Sequence, residues 1–216
     1  ITHEIKTPLT ILMSSLENVT NKNNTDESNK HIKTTVKRLN SLFEQMLNFH
    51  KVTSQDTIYQ NVSKIEINKY LEGRIKNFKP LTEERNLLIE VENHWPKQVF
   101  YNYRDVFDKI ILNLLSNAIK YSFDNGTIKI KLDKTNKGDL KFQISDEGLG
   151  IPKDQQKFIL KRYYRARNAI NSQKPGTGLG LIMTKKLIEK TGGNIAFESI
   201  ENKGTTFTIT IPNILL

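Results

Sequence analysis

The sequence predicts an α+β protein in which a helical hairpin precedes an α/β sandwich. Two observations support this fold class. In the first fifty residues, apolar side chains recur at alternating spacings of four and three, which is typical of helices that pack along a narrow seam. Further along, segments of helical period alternate with short strand-like segments, which indicates a sheet covered on one face by helices.

Two apolar seams define the predicted hairpin. They consist of Ile5, Leu9, Leu12, Leu16 and Val19, and of Ile32, Val36, Leu39, Phe43, Met46 and His50. The polar stretch 21–26 joins them. A hairpin this thin cannot bury both seams alone, so pairing of two copies into a four-helix dimer is the economical solution. The alternative is a monomer whose hairpin packs on its own second domain.

The composition shift predicts three regions, namely a hairpin over 1–55, a linker over 56–62 and a second domain over 63–216. In the second domain, helices are predicted at 65–84, 103–121 and 179–190, and strands at 87–92, 99–101, 128–132 and 140–145, followed by a hairpin over 194–211. The strands 128–132 and 140–145 should pair across a turn at Gly138. The strands are expected to be antiparallel.

The bulk composition excludes several classes of protein. The 216 residues include 33 Lys+Arg, 23 Asp+Glu and no cysteine, with a net charge of +10. Without cysteine there is no disulfide, thiolate catalyst or cysteine metal site. The basic residues are spread out without an arginine-rich run, so a nucleic-acid partner is disfavoured. No apolar run approaches the ~20 residues of a membrane span, so this segment is expected to make no direct membrane contact.

The N-terminal stretch carries a histidine with the groups that phosphoryl chemistry needs. If the stretch is helical, Thr7 lies one turn beyond His3, on the same face. A neutral imidazole is a good nucleophile, and Glu4 can fix its tautomer and take up its proton. Alternatively, Thr7-Pro8 is an N-cap followed by proline, which would leave His3 in a frayed tail. The first apolar seam runs through Pro8 and favours a continuous helix.

Three polar residues form a stripe on the otherwise apolar helix 103–121, namely Asn113, Asn117 and Lys120, at i, i+4 and i+7. Burial of unpaired amides is costly, so the stripe should face a ligand or solvent. An amide oxygen suits magnesium, which prefers to be shared with substrate phosphates, and Lys120 can meet a phosphate. The alternative is an ordinary exposed helix face.

Two glycine-rich motifs follow. Asp146-Glu-Gly-Leu-Gly150 comes after an apolar strand, and Asp146 could accept a hydrogen bond from an exocyclic amine; alone, the motif could equally be an Asp-Gly turn. Gly176-Thr-Gly-Leu-Gly180 opens a helix, where backbone N–H groups and the helix dipole favour a phosphate. Its spacing matches neither the Walker A loop nor the dinucleotide fingerprint.

Together and in this order, the motifs resemble those of sensor histidine kinases of bacterial two-component systems. His3-Glu-x-x-Thr7-Pro8 is similar to the H-box and Asn113-x-x-x-Asn117 to the N-box, while the Asp146 and Gly176 motifs are similar to the G1 and G2 boxes. The stretch 160–165 stands where the family carries its F-box, although Leu160 and Tyr163 replace the usual phenylalanines. The resemblance covers essentially the whole chain.

The resemblance implies a dimerisation and phospho-acceptor hairpin followed by a Bergerat-fold ATP-binding domain, with ATP and Mg²⁺ as cofactors. His3 would be the phospho-acceptor, Glu4 its base and Thr7 the residue that helps to position water for dephosphorylation. Asn117 would bind the metal, and a mobile lid is expected over 167–175. The implied ATP-binding residues are Asn113, Asn117, Lys120, Tyr121, Asp146, Gly148, Gly150, Arg165, Gly176, Thr177, Gly178, Leu179 and Gly180.

The implied function is autophosphorylation of His3 from ATP and phosphoryl transfer to an aspartate of a response-regulator receiver domain, with phosphatase activity as well. The implied assembly is a homodimer. The expected location is a cytoplasmic segment of a membrane-anchored sensor protein. Two alternatives are a Bergerat ATPase of the chaperone or mismatch-repair kind, which has no use for the His3 motif, and a catalytically silent dimeric scaffold.

Overall fold

The computed structural model describes residues 62–95, 99–174 and 176–214. All of them belong to the second of the two units into which the chain divides, Gln55–Leu216. The hairpin predicted over 1–55, with His3, Glu4 and Thr7, lies outside the described residues, as does the predicted linker except for its last residue. None of the described helices is long and apolar enough to cross a membrane.

The described chain alternates strands and helices. Its elements are β1 (Val62–Glu66), α1 (Ile67–Glu84), β2 (Leu88–Asn93), β3 (Val99–Tyr103), α2 (Arg104–Tyr121), β4 (Thr127–Lys134), β5 (Leu140–Asp146), a 3₁₀ segment (Lys153–Phe158), α3 (Arg167–Asn171), α4 (Gly180–Lys190), β6 (Asn194–Ile200) and β7 (Gly204–Ile211). The helices predicted at 103–121 and 179–190 and the final hairpin are confirmed to within one residue at each end.

A five-stranded sheet in the order β2-β4-β5-β7-β6 forms one layer of the domain. The predicted hairpin of β4 and β5 is confirmed: Leu132 lies opposite Phe142, and the turn carries Gly138 at φ 90°. The expectation of a wholly antiparallel sheet was wrong, because β2 pairs with β4 in parallel. The connection between these two strands passes through β3 and α2, and a helical crossover of this length allows parallel pairing.

The helix predicted from residue 65 begins later than expected. Residues Val62–Glu66 form β1, which pairs with β3 in a separate two-stranded antiparallel sheet, and α1 starts at Ile67. The strand therefore includes Val62, the last residue of the predicted linker. With Lys64 and Glu66 exposed and only Ile65 fully buried, β1 is too short and too charged to show a strand period in the sequence.

The core lies between one face of the large sheet and the helices α2 and α4. Alternate residues of the central strands are buried on that face, as in Ile128, Ile130 and Leu132 of β4, whereas Lys129 between them is exposed. The buried side of α2 contacts β5, and α4 contacts β6 and β7. Each such side chain contributes roughly 1.5–3 kcal/mol when it leaves water. The predicted layer of helices on one face of the sheet is confirmed, and the stripe of α2 that carries Asn117 is left at the edge of this core.

Candidate nucleotide site

The Asn113 side chain fixes α4 against α2. Its amide nitrogen donates to the Thr184 hydroxyl oxygen over 2.7 Å. Gly180, the first residue of α4, packs so closely on the same amide that a Cβ there would lie 2.4 Å from Asn113 Oδ1. The sequence assigned Asn113 to the nucleotide, but its N–H group is used to hold the helix that follows the second glycine motif.

Asn117 lies one turn further along α2 and is half-buried. Its side chain makes no hydrogen bond with any residue that the structure describes. The described residues also contain no cluster of three or more His, Asp or Glu side chains suited to a metal ion. The amide oxygen of Asn117 is therefore available to a ligand, and a metal here would rely on an amide and its substrate rather than on a carboxylate cage.

Three functional side chains meet at Gly176. A Cβ on this glycine would lie 2.8 Å from Lys120 Nζ and 3.6 Å from both Arg165 Nε and Tyr121 Oη. The Lys120 ammonium also lies 4.4 Å from the centre of the Tyr121 ring, on its face. The structure thus brings together four of the residues predicted from sequence. Two cations beside a glycine backbone form a pocket for a phosphate-bearing anion.

The Arg165 guanidinium forms hydrogen bonds with the segment that is predicted to be a mobile lid. Its Nη2 donates to the carbonyl oxygens of Ala169 and Lys174, at 3.1 and 2.5 Å. At the other side, the Asn168 amide donates to the carbonyl oxygens of Leu149 and Gly150. Within the stretch where the lid is expected, Arg167–Asn171 forms the one-turn helix α3. The segment is too short to show a helical period in the sequence.

Asp146 ends β5 with a carboxylate that is only partly satisfied. The Thr205 backbone N–H donates to this carboxylate, but its Oδ1 atom is buried without a hydrogen-bond partner among the described residues. Burial raises the pKa of Asp146 to about 7. An orphaned buried acceptor is costly in a folded protein, so this atom is suited to a donor supplied by a ligand.

The glycines after Asp146 allow close approaches of one backbone segment to another. A Cβ on Gly148 would lie 2.8 Å from Asp146 Oδ1 and 2.1 Å from the Tyr121 carbonyl oxygen. Gly150 has φ 56°, and a Cβ there would lie 2.0 Å from the Ile200 carbonyl oxygen. Both positions therefore require glycine because backbone approaches backbone, and the first motif is more than a surface turn.

The second glycine motif is held against the F-box stretch. The Tyr163 N–H donates to the Gly178 carbonyl oxygen over 3.0 Å, and a Cβ on Gly178 would lie 2.6 Å from the Tyr163 carbonyl carbon. The Leu179 N–H donates to the Thr177 hydroxyl, and Leu179 is buried as the N-cap of α4. The start of α4 is thereby fixed beside the Lys120 cluster, with no acidic residue in its first turn.

Phe158 supplies an aromatic contact beside the stretch 160–165. Its ring centre lies 5.4 Å from that of Tyr164. The sequence comparison by position missed Phe158 because it stands two residues before the expected place. Packing of Phe158 on Tyr164 anchors the stretch that leads to Arg165.

These residues fit a nucleoside triphosphate with its metal. The buried orphan Oδ1 of Asp146 is an acceptor, the buried Nε of Arg165 is an unsatisfied donor, and Lys120 adds a second cation. The free amide oxygen of Asn117 lies on the same helix as Lys120, less than one turn away. The acceptor, the cations and the Asn117 amide oxygen are therefore candidates for one site.

Comparison with known families agrees with this geometry. Residues 102–214 match the family described as histidine kinase-, DNA gyrase B- and HSP90-like ATPases, and residues 1–55 match the His Kinase A (phospho-acceptor) domain. The chain belongs to the sensor histidine kinases. The site built on Asp146, Asn117 and Lys120 lies entirely within the matched ATPase domain of this kinase.

Two curated relatives align with nearly all of the kinase chain. Sensor histidine kinase WalK of Bacillus subtilis is 33% identical over 221 residues, which cover 98% of this chain and 35% of WalK. The histidine-protein kinase ArlS of Staphylococcus aureus strain USA300 is 31% identical over 221 residues, covering 96% of this chain and 46% of ArlS. The chain thus spans between a third and a half of the length of these relatives.

Two solved structures share the fold. Histidine kinase ThkA in complex with response regulator protein TrrA gives a TM-score of 0.80 at 20% identity, covering 99% of this chain and 60% of that chain. Full-length ShkA in complex with AMPPNP gives a TM-score of 0.72 at 21% identity, covering 97% of this chain and 44% of that one. At these identities the likeness establishes the fold alone.

Arg85 supports the kinase site from outside it, and the sequence did not reveal this role. Its guanidinium donates to the carbonyl oxygens of Ile119 and Ser122 and pairs with Asp124 at 2.7 Å. Carbonyl groups at a helix C-terminus lack intrahelical partners and carry the negative end of the dipole, so an arginine there stabilises the last turn. That turn of α2 carries Lys120. No motif marks Arg85, because its partners are backbone atoms more than thirty residues away.

We expect Arg85→Ala to weaken ATP binding about tenfold, because the last turn of α2 loses its cap and Lys120 loses its fixed position. Isothermal titration with ATP and magnesium measures this effect. The matched control is Lys79→Ala, which removes an exposed ion pair with Glu83 within α1. Similar ATP affinities for the two variants would contradict a positioning role for Arg85.

A second expectation concerns the pH dependence of stability. Because the folded-state pKa of Asp146 is raised to about 7, the folded protein holds a proton that the unfolded chain releases near its usual value of about 3.9. The stabilising contribution of this proton is complete below pH 4 and is lost as the pH rises through 7. Asp146→Asn should remove this loss, so the variant should gain stability relative to wild type by about 4 kcal/mol between pH 4 and 8.

Urea denaturation of the nucleotide-free protein across this pH range measures the difference. Glu201→Gln is the control, since Glu201 is an exposed carboxylate and its loss should leave the pH profile unchanged. If wild type and Asp146→Asn differ by the same free energy at every pH, the carboxyl of Asp146 does not titrate in this range.

Proposed function

We propose that this chain is a kinase core that transfers the γ-phosphoryl group of ATP to His3 and then to an aspartate on a response-regulator receiver domain, and that also promotes dephosphorylation of that regulator. The observation that carries the proposal is the buried, unpaired Oδ1 of Asp146 in one domain with the Lys120 and Arg165 cations. The match of residues 1–55 to a phospho-acceptor domain supplies the second half of the reaction.

Each nucleotide-site residue has a distinct proposed task. Asp146 accepts a hydrogen bond from the exocyclic amine of the adenine, which is the donor that its orphaned oxygen lacks. Lys120 and Arg165 offset phosphate charge, and the backbone of 176–180 faces the phosphates at the start of α4. ATP supplies the phosphoryl group, and Mg²⁺ held at the Asn117 amide oxygen would offset the charge on its phosphates.

The proposed chemistry at the acceptor needs little beyond positioning. An imidazole nitrogen of His3 forms the new bond to phosphorus as the bond to the β-phosphate oxygen breaks and ADP leaves. Glu4 takes the proton from the other ring nitrogen, which keeps the imidazole nucleophilic. Thr7, one turn away on the same predicted face, positions the water that hydrolyses the phosphoryl group on the regulator.

The partners and arrangement of the chain are proposed on the same grounds. We assign 1–55 to a dimerisation and phospho-acceptor hairpin, 56–62 to a linker and 63–216 to the ATP-binding domain. The apolar seams support a homodimer, and ThkA, which shares the fold, is known in complex with a response regulator protein. The relatives support a cytoplasmic segment of a membrane-anchored sensor, since WalK is a sensor kinase.

Incubation with γ-labelled ATP and magnesium should label the wild-type chain, and the label should survive alkali and be lost in acid, as expected for a phosphorus–nitrogen bond. His3→Gln should abolish labelling without affecting ATP affinity. Asn117→Ala should reduce labelling at least about a hundredfold with the fold intact, because phosphoryl transfer depends on charge neutralisation. Asn136→Ala, in the exposed β4–β5 turn, is the matched control.

Two outcomes would contradict the assignment. Undiminished labelling of His3→Gln would exclude His3 as the acceptor, and undiminished labelling of Asn117→Ala would exclude the proposed metal ligand. ATP hydrolysis by wild type without any labelling would instead indicate an ATPase that has no phosphohistidine step.

The Thr7→Ala variant should autophosphorylate at the wild-type rate but lose most of its phosphatase activity, because only the hydrolytic step needs a positioned water. The measurement is the rate at which the kinase dephosphorylates its phosphorylated regulator. Thr10→Ala, in the same stretch, serves as the control. Equal dephosphorylation rates for Thr7→Ala and wild type would remove Thr7 from the mechanism.

A further inference from the structure

A second polar cavity lies outside the nucleotide site. It has a volume of about 440 Å³, within the range of small-molecule sites. Its walls come from β1, α1 and the first residue of α2. The lining residues are Lys64, Glu66, Lys69, Tyr70, Gly73, Arg74, Asn77 and Arg104. All but Arg104 precede the matched ATPase domain, which begins at residue 102.

The floor of the cavity is rigid. The buried Tyr70 hydroxyl donates to Asp108 Oδ1 over 2.6 Å, and Arg74 Nε pairs with the same oxygen at 2.7 Å. The Arg74 guanidinium also lies over the Tyr70 ring, 5.2 Å from its centre. These contacts join α1 to α2, so the cavity is formed before any ligand arrives.

The charge of the walls is unbalanced. The walls carry four cations, namely Lys64, Lys69, Arg74 and Arg104. Two carboxylates oppose them, Glu66 on the wall and Asp108 beneath it, which leaves an excess of two positive charges. Within the described part of the chain, Arg74 is the only one of the four cations with a carboxylate partner. An anion with two negative charges restores the balance, and Arg with Lys is the donor set that suits a phosphate.

Gly73 is the observation that points to an occupant. It lies in the interior of the 18-residue helix α1, where glycine lowers helix stability relative to alanine. Neither packing nor backbone geometry requires it: a Cβ there would meet nothing within 4 Å, and its φ is not positive. Gly73 is exposed, so the space above it is open to a ligand that the cations lining the same cavity would attract.

We propose that this cavity binds a small phosphate monoester or free phosphate as the dianion. The site is separate from the nucleotide pocket, since Arg104 and Lys120 stand at opposite ends of α2, about 24 Å apart at 1.5 Å per residue. Free phosphate and the phosphoryl group of a small ester present the same three oxygens to these donors. The proposal does not depend on the kinase activity of the chain.

The test is a titration of the whole chain with inorganic phosphate at pH 8, followed by backbone amide NMR, against sodium chloride of equal ionic strength. The amides of Gly73 and Asn77 should shift along a saturable curve with phosphate and not with chloride. The Lys69→Gln/Arg104→Gln double variant should weaken this affinity at least about tenfold, because it removes two of the charge-assisted donors. Lys76→Gln, on α1 but outside the cavity lining, should change it less than about twofold.

Two further variants test whether phosphate occupies the cavity itself. Gly73→Leu should raise the melting temperature through its helix propensity while lowering phosphate affinity at least about tenfold, since its side chain occupies the open space. Lys120→Ala should leave the Gly73 shifts unchanged, whereas shifts at 176–180 report any phosphate at the nucleotide site. A repeat with glycerol phosphate distinguishes an ester site from a site for free phosphate only.

The proposal is overturned if the Gly73 and Asn77 amides respond equally to phosphate and chloride, or if their saturable response persists in the Lys69→Gln/Arg104→Gln variant. Unchanged phosphate affinity in Gly73→Leu would likewise show that the open space is not the binding site.

Discussion

The docking of α4 on α2 is the constraint on which the rest of the site depends. One hydrogen bond, from the Asn113 amide to the Thr184 hydroxyl, joins the two helices at the point where Gly180 begins α4. The Thr184 side chain is buried, so loss of the Asn113 amide would leave its hydroxyl buried and unpaired. Because the second glycine motif ends at Gly180, its backbone position relative to Lys120 follows from this contact.

The nucleotide site retains polar groups that the fold itself does not satisfy. Asp146 Oδ1 and Arg165 Nε are both buried without hydrogen-bond partners among the described residues. Each such group costs roughly 1–3 kcal/mol when nothing pairs with it. Folded domains keep few groups of this kind, and a ligand that supplies the missing acceptor and donor would satisfy these two. Burial also raises the pKa of Asp146, because the charged carboxylate loses its contact with water.

The hydrophobic period predicted those helices and strands that are buried on one face and are long enough for the pattern to repeat. Helix α2 and the β4–β5 hairpin are of this kind, and their bounds agree closely with the sequence. The strand β1 and the short helix α3 were not predicted, since a pattern of five residues cannot be distinguished from a loop. The parallel pairing of β2 with β4 was not predicted either. Strand direction within a sheet depends on the segments that connect the strands and leaves no local pattern in the sequence.

Site residues followed a similar rule. Residues within a contiguous motif, such as Gly148 and Gly150, could be found because backbone crowding demands glycine at fixed spacing. The assignment of Asn113 to the nucleotide follows from the resemblance of its motif and stays a prediction, and only the structure reveals that the Asn113 amide also donates to Thr184. Arg85 could not be found at all, since it acts on backbone carbonyl groups that any sequence would present.

Helix α2 is held at both ends by arginines from α1 and from the turn that follows it. Arg74 pairs with Asp108 one turn into α2, and Arg85 caps the carbonyl groups after Ile119. Both contacts tie α2 to the same neighbouring helix, so α2 cannot shift along its axis without breaking one of them. A packed helix with both ends fixed moves as a rigid body. The position of Asn117 and Lys120 is therefore set by contacts at two sites that lie outside the nucleotide pocket, one of which is the floor of the basic cavity.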